Sequence, residues 1–155
     1  MEPTSSSSGV DSLSEMAFSE AATPARLGHF EAPLRLQGIY LALVVFWHAA
    51  GAILIAWGLR APGPTASLLV ILFALFFAAG LIFGSRRLPG LYLGISMLMV
   101  IAGAQALVSA WTRDPALWPS DFWRYAGMAL NALGSGAGIW GVLAWLAWRR
   151  GKAPA

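Results

Sequence analysis

Four long apolar segments without an interior charge constrain this chain more than any other feature of its sequence. Their approximate ranges are 37–59, 66–85, 91–111 and 125–148, and none contains Asp, Glu, Lys or Arg. A helix of about 20 apolar residues is long enough to cross the hydrocarbon layer of a bilayer. The sequence therefore predicts an all-α integral membrane protein, a bundle of four transmembrane helices.

The amino-acid composition excludes the main alternative, a soluble domain. Of the 155 residues, 58% are hydrophobic and only 11% are charged, whereas soluble domains carry about 25% charged residues. The chain contains no cysteine, which excludes disulfides, thiolate metal sites and cysteine nucleophiles within it.

Proline-rich breaks separate the four segments. Pro62 and Pro64 follow the first segment, Pro89 follows the second, and Pro115 and Pro119 follow the third. Proline lacks an N–H and fixes φ, so these stretches favour four separate helices over two very long ones.

The segments divide the chain into three parts. We expect residues 1–36 to form a largely disordered cytoplasmic tail, which alternatively docks a partner. Residues 37–148 form the transmembrane domain, and residues 149–155 form a short basic cytoplasmic tail. The Ser-rich composition of residues 4–9 is typical of disorder.

The distribution of Lys and Arg predicts the orientation. Seven of the ten basic residues lie on the side that carries both termini, and Arg60, Arg113 and Arg124 lie on the other. Basic residues favour the cytoplasmic side, so both termini are predicted to be cytoplasmic. Tryptophan favours membrane interfaces, which predicts an outer group and an inner group: Trp57, Trp111, Trp118 and Trp123 outside, Trp145 and Trp148 inside.

A possible internal repeat relates the first and third segments. Each opens on a Tyr-Leu pair, at Tyr40 and Tyr92, and each carries Ala-Gly-Ala at its middle, around Gly51 and Gly103. Two repeated helical hairpins would explain this pattern. Chance similarity between Ala-, Leu- and Gly-rich helices explains it equally well.

Small residues predict where the helices pack. Gly80 and Gly84 form a GxxxG pair in the second segment, and Gly134 and Gly138 form another in the fourth. Small residues let transmembrane helices approach closely. The fourth segment is therefore the expected packing centre, either as a static contact or as a helix that bends in a transport cycle.

Three polar side chains lie inside the segments, namely His48, Gln105 and Asn131. Polar groups at membrane depth are costly and usually face the interior of a bundle. We expect Gln105 and Asn131 to hydrogen-bond to each other across two helices; the alternative is that the pair forms a substrate site. His48 is expected to be a buried, hydrogen-bonded histidine; the alternatives are a haem or pigment ligand and a proton carrier.

No catalytic or metal-binding motif accompanies these residues, so no catalytic residue, metal or cofactor is predicted. Asp114 and Asp121 are expected to neutralise Arg113 and Arg124.

The sequence favours a non-enzymatic accessory, assembly or structural subunit of a bacterial inner membrane complex. The alternatives are a small oligomeric transporter or channel-like protein, and a pigment-binding subunit that uses His48. The expected partners are the lipid bilayer and other membrane subunits or further copies of the chain, not nucleic acid.

Overall fold

The part of the chain that the structure describes folds into four long helices. The structure, a computed structural model, describes residues 23–151, with side chains from residue 28 onward. The helices are α1 (Thr23–Ala56), α2 (Leu68–Arg86), α3 (Pro89–Thr112) and α4 (Asp121–Arg150), and a single 3-10 turn, Pro115–Leu117, lies between α3 and α4. All four helices are long and apolar enough to cross a membrane. The predicted all-α architecture with four such helices is confirmed.

Helix α1 begins well before residue 37, where the sequence placed the start of the first span. Its additional turns are amphipathic, because Phe30 is fully buried while Glu31 and Arg35 form an exposed ion pair of 2.5 Å. Charged residues lower the hydropathy and so mark the end of an apolar segment in the sequence. They do not interrupt a helix whose opposite face is packed against the protein. The predicted tail is thus helical from Thr23 onward. Its remainder, like most of the basic C-terminal tail, lies outside the described residues.

The helices form a ring in chain order. Helix α1 packs on α2 and α4, and α3 packs on the same two neighbours. We call the end that carries the loops 57–67 and 113–120 the loop end. The opposite end, which carries the short α2–α3 connection at Arg87 and Leu88, is the turn end. The duplication of two hairpins stays a prediction.

Each helix buries one narrow stripe. On α1 the buried positions recur every three or four residues from Phe30 through Pro33, Gln37 and Tyr40 to Val44, and Gly51 is buried two turns further on. On α3 they run from Tyr92 through Ile95, Ser96 and Met99 to Gly103. The remaining apolar side chains point outward, as expected for helices whose solvent is lipid.

The fully buried positions of helix α4 are all residues without a large side chain. Its buried positions are Gly127, Gly134, Ala137, Gly138 and Gly141. A Cβ at Gly138 would lie 2.7 Å from the Ser96 carbonyl oxygen, and one at Gly134 would overlap the Tyr40 ring. The backbones of α3 and α4 can therefore approach closely, and α1 can place a tyrosine ring directly against α4.

The glycine pair of α2 lies against α3. A Cβ at Gly84 would lie 2.6 Å from the backbone nitrogen of Tyr92, and one at Gly80 would overlap the Ile95 side chain. Both GxxxG pairs therefore lie at contacts between neighbouring helices within the chain.

Candidate functional site

A cavity of about 500 Å³ opens at the loop end of the bundle. Helix α1 contributes His48 to its lining, α3 contributes Gln105, and α4 contributes Asn131. The structure thus brings together the three polar side chains that the sequence placed inside the membrane. Each lies roughly 10–15 Å from the loop end of its helix, at 1.5 Å per residue.

His48 holds the start of helix α2. Its Nδ1 accepts a hydrogen bond of 3.2 Å from the backbone N–H of Ser67, the N-cap residue of α2. A ring nitrogen that accepts cannot carry the proton, so a neutral His48 carries it on Nε2. His48 is half-buried and lines the cavity. The predicted hydrogen-bonded histidine therefore has a defined partner, which sequence reasoning could not name.

The loop between α1 and α2 descends into the bundle instead of remaining outside it. Pro62 and Gly63 are buried, and a Cβ at Gly51 of α1 would lie 3.0 Å from the Ala66 Cβ. Non-helical backbone at this depth is stable where protein surrounds it or where it lines a polar cavity. Here Gly63, Pro64 and Thr65 line one wall of the cavity.

Trp118 covers the cavity from the loop between α3 and α4. It is only 7% exposed, whereas Trp57 and Trp111 are 74% and 66% exposed. Cβ atoms at Gly63 and Gly127 would lie 3.5 Å and 3.0 Å from its ring. Trp118 therefore packs inside the loop end and does not face outward as Trp57 and Trp111 do, because two glycines leave a slot for its indole. In the sequence, Pro115 and Pro119 on either side of Trp118 indicate such a turn.

The predicted hydrogen bond between Gln105 and Asn131 does not form. Asn131 Nδ2 donates instead to the Gly127 carbonyl of its own helix at 2.8 Å. An asparagine side chain readily finds a local backbone acceptor, which competes with a partner across the interface. Gln105 is exposed and lines the cavity without a hydrogen-bond partner among the described residues.

Arg113 is the cation nearest to the cavity and belongs to its lining. Arg124 instead donates to the Ala110 and Trp111 carbonyls at 3.1 and 2.8 Å, which satisfies the end of helix α3. Asp114 accepts from the Ala116 backbone N–H at 2.9 Å. The expected pairing of Asp114 and Asp121 with Arg113 and Arg124 is therefore not formed among the described residues.

The turn end contains a second group of polar side chains, which sequence reasoning missed. Gln37, Tyr92 and Ser96 are each fully buried. Gln37 Nε2 donates to Ser96 Oγ at 3.0 Å and to the Ala137 carbonyl at 3.3 Å. The sequence predicts Gln37 only as the first residue of a span; its position on the same helix face as Tyr40 and Val44 is the signal that indicates burial.

No group of three or more His, Cys, Asp or Glu side chains that could hold a metal ion occurs in the described part of the chain. No protein-family model, curated protein or solved structure matches this chain. The cavity itself is therefore the feature from which a function can be inferred.

Replacing His48 with phenylalanine is expected to lower stability slightly and to leave the fold intact. The substitution removes the acceptor for the Ser67 N–H, at a cost of about 1–2 kcal/mol, while the planar ring still fills the space. Thermal unfolding in detergent measures this change. Absorption spectra of both proteins provide the control, because a visible band that only the wild type shows would identify a pigment ligand instead.

Proposed function

We propose that this chain is a non-enzymatic membrane protein that binds a small polar solute in the loop-end cavity, as a small transporter or channel-like protein does. One observation carries the proposal: His48, Gln105 and Asn131, which belong to three different helices, line the same cavity. Polar groups inside a membrane are expensive and mark solute pathways when they converge. A purely structural bundle has no comparable reason to keep them together.

The chemistry of the lining indicates the class of solute. Gln105 and Asn131 offer amide oxygens and N–H groups, Ser109 offers a hydroxyl, and Arg113 offers a positive charge. Among the residues that the structure describes, the cavity lining contains no Asp or Glu. A neutral solute with several hydroxyl or amide groups, or a small anion, suits this arrangement better than a cation does.

We further propose that the loop end faces the outside of a bacterial inner membrane and that both termini are cytoplasmic. The arginines support this orientation, because Arg86, Arg87, Arg149 and Arg150 lie at the turn end. Basic residues are retained on the cytoplasmic side. The cavity would then open away from the cytoplasm.

Single cysteines in this cysteine-free chain test access to the cavity. Asn131→Cys is expected to react with a small, membrane-impermeant thiol reagent added outside intact cells, because Asn131 lines the cavity. Ala132→Cys is the matched control: it lies at the same depth, but Ala132 is exposed on the outer face of α4 and does not line the cavity. A thiol in hydrocarbon stays protonated and does not react.

Two further cysteines fix the orientation in the same experiment. Ala116→Cys at the loop end should react from outside, and Lys152→Cys should react only after the cells are opened. Equal reaction of Asn131→Cys and Ala132→Cys would contradict a water-accessible cavity. Reaction of Lys152→Cys in intact cells would reverse the orientation.

An accessory or assembly subunit is the second candidate, and helix α2 favours it. Leu69, Leu72, Phe73, Phe76 and Phe83 lie on one face of α2, and each is more than half exposed. A continuous aromatic and aliphatic face can pack on a transmembrane helix of another subunit or of a second copy. Purification in mild detergent distinguishes the two functions, because an accessory subunit should bring a larger complex with it.

A further inference from the structure

A second cavity, of about 470 Å³, adjoins the loop-end cavity on helix α3, and we call it the side cavity. The two cavities share three lining residues, Gln105, Ser109 and Arg113. These residues recur every four positions and so lie along one face of α3. The rest of the side cavity is lined by Ala104, Val108 and Thr112. The loop-end cavity is therefore continuous with a concave surface along α3.

The side cavity faces outward at membrane depth. Gln105 is exposed, and Val108 is 62% exposed. The close contacts that glycines permit between α2 and α3 lie nearer the turn end, at Gly80 and Gly84. Gln105 lies eight residues before Arg113, which places it about 12 Å deeper along the helix. In a bilayer, lipid therefore contacts the outer side of this cavity.

The shared lining offers unpaired polar groups. Among the described residues, the side chains of Gln105, Ser109 and Arg113 form no hydrogen bond or ion pair. Thr112 differs, because its hydroxyl already donates to the Val108 carbonyl at 2.9 Å. Arg113 is the one charged residue in the described lining of the two cavities. A free guanidinium beside uncharged donors suits a ligand with a single negative charge.

We propose that the two cavities together bind one anionic phospholipid, with its headgroup in the loop-end cavity and its acyl chains in the bilayer. Arg113 binds the phosphate, because a guanidinium donates two parallel hydrogen bonds to such a group. Gln105 and Ser109 bind hydroxyl groups of the headgroup. Ala104 and Val108 provide an apolar surface for a chain. The inference rests on the proposed function, since it names the polar group that the cavity binds.

The mixed character of the lining favours a lipid over a free ion. A small anion would contact Arg113 and would gain nothing from the apolar surface beside it. A zwitterionic headgroup also carries a cation, for which the described lining has no carboxylate. Phosphatidylglycerol combines one negative charge with headgroup hydroxyls and acyl chains, so it matches each part of the lining.

Native mass spectrometry in mild detergent tests the lipid and its headgroup. The wild-type protein, mixed with equal amounts of phosphatidylglycerol and phosphatidylcholine that carry the same chains, is expected to retain phosphatidylglycerol several-fold more. Arg113→Gln should lower this retention about tenfold, because hydrogen bonds to a charged group are the strong ones. Gln105→Leu should lower it several-fold, because the headgroup hydroxyls lose a partner inside the cavity.

Arg60→Gln is the matched control. It removes the same charge at the same end of the bundle, but Arg60 lines neither cavity, so retention should stay at the wild-type level. Equal retention of the two lipids by the wild type, or equal loss in Arg113→Gln and Arg60→Gln, would overturn the proposal. An unchanged Gln105→Leu would contradict it as well, since the headgroup would then lie outside the cavity.

Crosslinking of the wild-type protein locates the lipid without any variant. A photoactivatable phosphatidylglycerol should react mainly with the tryptic peptide 88–113, which contains α3, and less with peptide 61–86, which contains the exposed face of α2. Equal reaction of the two peptides would show only the surrounding bilayer and would overturn the proposal. Glycerol phosphate, which lacks chains, should not compete; if it did, the ligand would be a free anion.

The outcome separates this inference from the function on which it rests. A reactive Asn131→Cys in a protein that shows no preference for phosphatidylglycerol would reject the lipid site alone. Equal reaction of Asn131→Cys and Ala132→Cys, with phosphatidylglycerol still retained through Arg113, would reject the proposed function.

Discussion

Leucine at Gly134 or Gly138 is expected to prevent the bundle from assembling. At Gly134 a side chain would occupy the position of the Tyr40 ring, and at Gly138 it would meet the Ser96 carbonyl oxygen at 2.7 Å. At Gly138 the obstacle is backbone, which cannot move aside, so α4 must separate from α3; at Gly134 the obstacle is the Tyr40 ring, so α4 must separate from α1. We expect little folded protein by size-exclusion chromatography in detergent, and an unfolding temperature far below that of the wild type.

Gly136→Leu is the control for this experiment. It makes the same change on the same helix, but a Cβ at Gly136 meets nothing within 4 Å. This variant should express and melt as the wild type does, since its leucine would face lipid. If Gly134→Leu and Gly138→Leu behaved in the same way, the described packing of α4 would be incorrect.

Removal of the Trp118 side chain is expected to uncover the cavity and to destabilise the loop end. The indole is buried against Gly63 and Gly127. Truncation of such a side chain to alanine typically costs about 3 kcal/mol or more. In Trp118→Ala we therefore expect a lower melting temperature and faster reaction of a cysteine at position 131 with the impermeant reagent.

Trp111→Ala is the control variant: it shows whether the lower melting temperature and the faster labelling are specific to Trp118 or follow from the loss of any tryptophan at the loop end. Trp111 is 66% exposed at the end of α3, and its removal should leave the labelling rate at position 131 unchanged. The interpretation of Trp118 as a cover would be wrong if Trp118→Ala slowed labelling or left it unchanged while the protein remained folded.

The four spans could be predicted from the sequence because they depend on local properties. In lipid, a single run of apolar residues long enough to cross a membrane can hydrogen-bond its own backbone N–H and C=O groups only by forming a helix. Prolines after each of the first three segments mark the breaks, and the observed ends of α2 and α3 lie within about two residues of the predicted ones, which is the usual uncertainty of a helix boundary. The start of α1 was missed because Glu31 and Arg35 lower the hydropathy without disturbing the buried face that includes Phe30.

The sequence also indicated which polar residues to examine, but not how they are arranged. His48, Gln105 and Asn131 stood out because polar groups are rare in spans. Their partners depend on competition between nearby groups in three dimensions. Asn131 bonds to Gly127 in its own helix, and His48 bonds to a loop that folds back beside it.

What the sequence determined by itself was the four segments long and apolar enough to cross a membrane, and the glycines available for close packing. Only the tertiary structure decided that Trp118 covers a cavity, that Gln37 lies in a buried polar layer, and that three polar residues far apart in the chain share one lining. The physical reason is that burial in lipid is set by composition along each segment. The contacts between segments depend on how each helix is rotated about its axis and how far it is shifted along the bundle. Small residues allow many such arrangements, and the packing of all four helices selects one of them.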